Sequence, residues 1–148
     1  MDSATAITNL LHRYAELFDA GEHDACADLF AHAQIILDPD APLVVDRAGI
    51  LEIWRTTVII HDDGTPRTKH IVTNPILDID EADGTATCRS YYTVLQQVHD
   101  GPLQPVAAGR YHDRFERVDG EWRFSERDYS KLDLVDDISW HLQNMPEA

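Results

Sequence analysis

Thr65-Pro66-Arg67-Thr68-Lys69-His70-Ile71-Val72-Thr73-Asn74, residues 65–74, is where the chain changes period. Before it, apolar residues recur at helical spacing; after it, they alternate in twos. Ile7, Leu10, Leu11, Tyr14, Leu17 and Phe18 stand at i, i+3, i+4, i+7, i+10 and i+11, the stripe of an amphipathic helix. Gly21 ends it as a glycine just past the last turn. A second helix runs through Ala25, Cys26, Leu29 and Phe30, and a short strand over Gln34–Leu37 stops at Asp38-Pro39-Asp40. A third helix takes Asp46 as its N-cap and buries Ile50, Leu51, Trp54 and Val58.

Beyond Pro66 the segments Thr68–Ile79, Thr85–Val98, Pro105–Val118 and Glu121–Tyr129 are rich in β-branched and aromatic residues. The turns Asp83-Gly84, Asp100-Gly101-Pro102 and Asp119-Gly120 separate them. The pattern predicts an α+β fold in which N-terminal helices pack in a strongly bent antiparallel sheet around a pocket. Pro75 breaks the first strand's hydrogen bonding and marks a bulge or an edge. The run from Leu132 through Leu134, Val135, Ile138 and Trp140 reads as a weaker terminal helix at a subunit contact.

A chain of 148 residues suits one domain, residues 1–148, with one core. Its 27 acidic residues against 12 basic ones give a net charge of −15, which repels nucleic acid and anionic lipid. Much of that charge serves solubility. The N-terminal segment has no basic n-region and interleaves Asn9, His12, Arg13 and Glu16 with its apolar residues, so a membrane span and a signal peptide are not expected and a cytoplasmic protein is. Cys26 and Cys88 stand in no paired motif and read as buried free thiols.

Asp19 and His70 are the candidates for chemistry. Asp19 falls in the last turn of the first helix, where the macrodipole disfavours a carboxylate, so a solvated turn residue or a partner elsewhere must account for it. Alternation puts His70, Val72 and Asn74 on one face of their strand, and an imidazole paired with a carboxylate is the common acid/base device at neutral pH. Tyr14 reads as a core tyrosine or as a pocket hydroxyl. It lies about 140° around the axis from Asp19 and converges with it only above the helix end. Gly109, Tyr111, Asp113 and Phe115 share one face of the third long strand, while Arg110, His112, Arg114 and Glu116 share the other. Tyr111 and Asp113 thus join Phe18 and Trp54 as candidate substrate contacts, and Tyr91, Thr93 and Leu95 line the cavity by the same alternation. The outer face would then carry Ile71, Tyr92, Val94, His112 and Arg114, too apolar in part to stay wet, which predicts a homodimer or a higher homo-oligomer. Phosphate-binding glycine loops, G-x-S-x-G, H-E-x-x-H and clustered metal-spaced histidines are missing from the sequence, so no metal and no cofactor are expected.

The segment Tyr14–Gly21 with the acidic helix after it, the strand Arg67–Asn74, and Tyr111–Phe124 with its Asp119-Gly120-Glu121-Trp122 turn resemble the SnoaL-like branch of the NTF2-like superfamily. The resemblance runs over nearly the whole chain and implies a cone-shaped α+β barrel with a deep pocket. Scytalone dehydratases and bile-acid 7α-dehydratases are similar in layout, with an Asp after the first helix and a His on the first long strand, matching Asp19 and His70. The bile-acid enzymes' Tyr five residues before the Asp falls on Tyr14. Departures from scytalone dehydratase are Phe18, where that family has Tyr, Gly109 and Tyr111 near its strand Ser and Asn, and its second His, for which Leu95 is the nearest position. The resemblance implies a cofactor-free dehydratase or isomerase of a small hydrophobic cyclic, steroid-like or polyketide-like substrate. In it neutral His70 removes a proton α to a carbonyl, Asp19 holds its tautomer, and Tyr14 donates to the enolate oxygen or the leaving hydroxyl. The superfamily also contains polyketide cyclases, epoxide hydrolases and non-catalytic dioxygenase β subunits, so a ligand-binding or assembly subunit is the alternative.

Overall fold

The computed structural model describes residues 1–40 and 43–145. Helix α1 spans Ser3–Asp19, opened by the Asp2 carboxylate accepting from the Thr5 N–H at 2.8 Å. It closes in a Schellman motif: the Gly21 N–H donates to Phe18 O and the Glu22 N–H to Leu17 O. Gly21 holds φ +77°, and a Cβ there would meet Gly64 O at 2.3 Å, so the helix end and the loop leading into the first long strand touch backbone to backbone. Helix α2 is His23–Asp28, and α3 is Arg47–Thr57, capped by Asp46 accepting from the Gly49 N–H.

The strands are β1 Gln34–Asp38, β2 Leu43–Val45, β3 Thr68–Asp80, β4 Thr85–Gln96, β5 Gln104–Val118, β6 Glu121–Asp128 and β7 Leu132–Val135. They form one strongly curled, unclosed sheet in the order β2-β1-β6-β5-β4-β3, and β7 extends the β6 side of β5. The long strands pair antiparallel as the turns predict, whereas β1 joins β6 in parallel, a pairing between distant segments that no local pattern announces. Curling comes from extra residues. Asn74, at φ +55°, and Pro75 fall in the bulge between Thr73 and Ile76, and further register shifts lie at Val94/Leu95 of the β4–β5 pair and Arg114/Phe115 of the β5–β6 pair. The helices fill the concave side. Ile7, Leu11, Tyr14 and Phe18 of α1 and Ile50, Leu51 and Trp54 of α3 meet Cys88, Tyr92, Val94, Tyr111, Phe115 and Phe124 in one core.

Three expectations change. The terminal helix is instead strand β7 and a turn over Ile138–His141: Leu132, Leu134 and Ile138 fit either period, and backbone bonds to the free edge of β5, from Arg110 N to Lys131 O and from Asp136 N to Val106 O, decide it. A further change is the addition of β2 at residues 43–45, where the sequence predicts no element. In β4, Tyr92 and Val94 face inward, with Tyr91 55% exposed outside. Cross-strand partners share a face, and His70 lies opposite Val94 and Val72 opposite Tyr92, so the pairing with β3 fixes the phase that β4 alone left ambiguous.

Candidate active site

Asp19 is the last helical residue of α1, and β3 runs beside it. One oxygen, Oδ1, accepts from Thr68 Oγ1 at 2.8 Å and lies 2.6 Å from His70 Nδ1; Oδ2 accepts from the His70 backbone N–H at 2.7 Å. Three donors from one strand thus replace water around a carboxylate whose side chain is 7% exposed, beside an imidazole 5% exposed. With Asp19 ionised, Nδ1 carries the shared proton and Nε2 of His70 is left as an acceptor.

His70 forms part of the wall of a cavity of about 590 Å³, within the ordinary range of small-molecule sites. Tyr14, Phe18, Trp54, Tyr111, Tyr92 and Tyr129 line it with His70, and His141 comes in from the C-terminal segment. Apart from Tyr92, which stacks on Tyr111, their rings pack in perpendicular or tilted contacts: His70 lies 4.9 Å from Phe18 and 6.2 Å from Tyr14, centroid to centroid. The hydroxyls of Tyr14 and Tyr129 are hydrogen-bonded to each other. Burial raises the Tyr129 phenol well above its ordinary range and pushes Tyr92 up to about 12, so both stay protonated donors at neutral pH.

Of the candidate contacts, Tyr14, Phe18, Trp54 and Tyr111 lie on the cavity together with His70, and Tyr91 and Asp113 do not. Tyr91 is on the outer face for the reason given above. Asp113 points inward as its alternation predicts but lies beneath the lining. Its carboxylate accepts two bonds from the guanidinium of Arg127, at 2.8 and 3.0 Å, with both side chains fully buried. Burial works against both charges; Asp113 outweighs it for Arg127, which is held still more firmly protonated. The guanidinium carbon stands 3.8 Å from the Tyr111 ring centroid and 4.4 Å from that of Tyr14, a buried cation under the aromatic floor. Tyr129 and His141 are among the lining residues that the sequence does not reveal, as are Tyr92 and Val94, which alternation alone puts on the outer face. Tyr129 ends the segment Glu121–Tyr129 that the sequence predicts as a strand, whereas His141 lies just past the expected helix ending at Trp140, where no spacing links it to His70.

The residues 1–128 match the family model of the SnoaL-like domain, and the chain belongs to that family, with an NTF2-like fold. Among solved structures, ActVI-ORFA from Streptomyces coelicolor superposes with a TM-score of 0.69 at 22% identity, over 86% of this chain and 96% of that one. An NTF2-like protein with a cystatin-like fold from Novosphingobium aromaticivorans gives 0.68 at 21%, over 88% and 82%. A provisionally assigned scytalone dehydratase from the same organism gives 0.62 at 22%, over 84% and 80%. At these identities the likeness concerns the fold. No curated protein matches the chain. Among the described residues no helix is long and apolar enough to cross a membrane.

Proposed function

We propose that the protein is a cofactor-free lyase or isomerase that moves a proton α to a carbonyl in a small, neutral, cyclic molecule of steroid-like or polyketide-like shape. The observation that carries this reading is the Asp19–His70 pair in the cavity wall, with His70 Nδ1 held at 2.6 Å and Nε2 without a hydrogen-bond partner among the described residues. A base needs that layout: a nitrogen open to the substrate and an anion behind the ring to stabilise the imidazolium that forms. The apolar lining fits an apolar ring system. Lys and Arg do not occur among the described lining residues, so an anionic substrate would find no counter-charge at the wall.

In the dehydratase form of the reaction, His70 Nε2 takes the α-proton, the carbon–carbon double bond forms as the β-hydroxyl leaves, and the proton on Nε2 passes to that hydroxyl to give water. An isomerase uses the same base and returns the proton to another carbon. Tyr14, through the hydroxyl it shares with Tyr129, donates to the enolate oxygen or to the departing hydroxyl. Phe18, Trp54 and Tyr111 supply most of the affinity. Two copies of the chain pair through the outer face of the sheet.

The test does not require the natural substrate. With 2-tetralone in D2O, wild-type protein should speed deuterium exchange at the α-carbon, read by proton NMR, and His70→Ala should abolish it. Asp19→Asn should lower the rate by about 10²–10³, a part of the ~10⁴ lost when the orienting carboxylate of the serine-protease triad is removed. Exchange that survives both substitutions would place the chemistry elsewhere. Tight 2-tetralone binding with no exchange, and no turnover of cyclic β-hydroxy ketones, would instead leave a ligand-binding subunit.

A further inference from the structure

A second imidazole stands in the same cavity wall, and the Asp19–His70 reading leaves it idle. His141 is 5% exposed, and its ring centroid lies 6.1 Å from that of His70 and 6.3 Å from that of Phe18. Its backbone is fixed from both sides: its N–H donates to Ile138 O at 2.9 Å and its carbonyl accepts from the Ile59 N–H at 2.8 Å. Leu142 bridges to Val58 beyond the end of α3, and the Gln96 amide donates to Trp140 O at 3.0 Å. This is a held position, not a loose tail.

The two ring nitrogens of His141 differ. Nδ1 is sealed from solvent with no hydrogen-bond partner among the described residues, whereas Nε2, likewise without a partner among them, is not sealed, and the ring lines the cavity. A sealed N–H with nothing to donate to is the rarer and costlier defect, compared with a sealed acceptor. The ring's proton therefore sits on Nε2 and is offered to the cavity. His70 is wired the opposite way, its Nδ1–H on Asp19 and its Nε2 bare. The charged and titratable groups acting on His141 are His70, Asp19, His61 and His23; burial first, then His70, holds its titration down to about 4, so the ring is neutral near pH 7.

We propose that His141 is a substrate-binding residue whose Nε2–H donates a hydrogen bond to a carbonyl oxygen of the substrate, while the bare Nε2 of His70 faces the acidic C–H beside that carbonyl. The identification of the C–H partner rests on the proposed function; the oxygen contact does not. A neutral donor suits the wall for two reasons. It stabilises developing negative charge on the oxygen without placing a second cation beside the imidazolium formed on His70, and in a described lining without Lys or Arg it gives a directed contact to a carbonyl, which points to neutral cyclic ketones. Tyr14 is then left to the departing hydroxyl. No proton leaves His141 in this scheme.

The test is a binding comparison of 2-tetralone with tetralin, which has the same rings without the oxygen, by isothermal titration. Wild-type protein should prefer 2-tetralone. His141→Phe, which keeps an aromatic ring, should leave tetralin affinity unchanged and weaken 2-tetralone by about tenfold, the worth of one lost hydrogen bond; His141→Gln, which retains a donor, should recover most of it. Unchanged affinity for both ligands in His141→Phe overturns the proposal. Nitrogen-15 NMR of the wild type gives a reading that needs no variant: at pH 7 the protonated nitrogen should be Nε2 and should shift with 2-tetralone but not with tetralin, and a protonated Nδ1 overturns the proposal. The two readings separate cleanly. Failure of exchange with an intact His141 effect on 2-tetralone sinks the catalytic role of His70 alone, and exchange with no His141 effect sinks this proposal alone.

Discussion

Asp19 breaks a local rule: a carboxylate closes a helix at its negative end. The dipole costs it several tenths of a kcal/mol, and three donors from Thr68 and His70 offset that. Such conflicts between local propensity and final structure collect where chemistry is done, and this one was legible in the sequence because helix period and strand alternation each put one partner at the junction. His141 has a different physics and gives a pH prediction. Its folded titration lies near 4 against an ordinary 6.5, with burial the main cause. Between those values the unfolded chain takes a proton that the folded chain refuses, so stability falls as pH drops through that window and, for this group, is flat above it. His23, also lowered by burial, acts in the same direction. Urea midpoints at pH 7 and pH 5 should therefore show wild type losing stability on acidification, and His141→Phe losing less; equal losses would mean that the imidazole is not held neutral.

At Gly109 of β5, the sheet packs tightly against itself. A Cβ there would stand 2.4 Å from Lys131 O and 2.7 Å from the Tyr92 hydroxyl, and Tyr92 is pinned by stacking on Tyr111 at 4.3 Å. Gly109→Ala should force β7 or Tyr92 to move and cost about 1–3 kcal/mol as overpacking does, read as a lower urea midpoint with unchanged slope; a neutral substitution would show that the β5–β7 contact yields easily. β7 also marks where sequence reading stopped. The helices and long strands were legible because Ile7–Phe18 and Thr68–Val72 each repeat with one period, and the bulge at Asn74-Pro75 because proline cannot donate. Leu132, Leu134, Val135 and Ile138 satisfy two periods at once, and only the vacant edge of β5 selects the strand. Likewise Tyr91 and Tyr92 are adjacent and alike, and the register with β3 alone turns Tyr92 inward. Periodicity reports faces, while pairing between distant segments assigns them.

The outer surface of the sheet joins two features that composition keeps apart. Ile71, Thr93, Ala108 and Leu134 are register partners across β3, β4, β5 and β7, so they form one row on one face, and Tyr91 stands beside that row opposite Arg110. Ile71, Tyr91 and Leu134 are exposed. The same face carries Arg89, Arg110 and Arg114, with Arg110 paired to Asp133 at 2.8 Å and Arg114 to Glu126 at 3.4 Å. Exposed apolar side chains in one row, flanked by arginines already paired to carboxylates, make this the face with most to gain from being covered. The expected assembly is accordingly a face-to-face homodimer, with a scattering mass near twice 16.8 kDa at micromolar concentration. Tyr91→Glu puts a charge in the middle of the row, on a side chain that touches neither the core nor the cavity. It should give a folded monomer that still binds 2-tetralone, because the cavity opens on the other side of the sheet. A wild-type monomer in solution would overturn the dimer, and a Tyr91→Glu dimer would move the interface off this face.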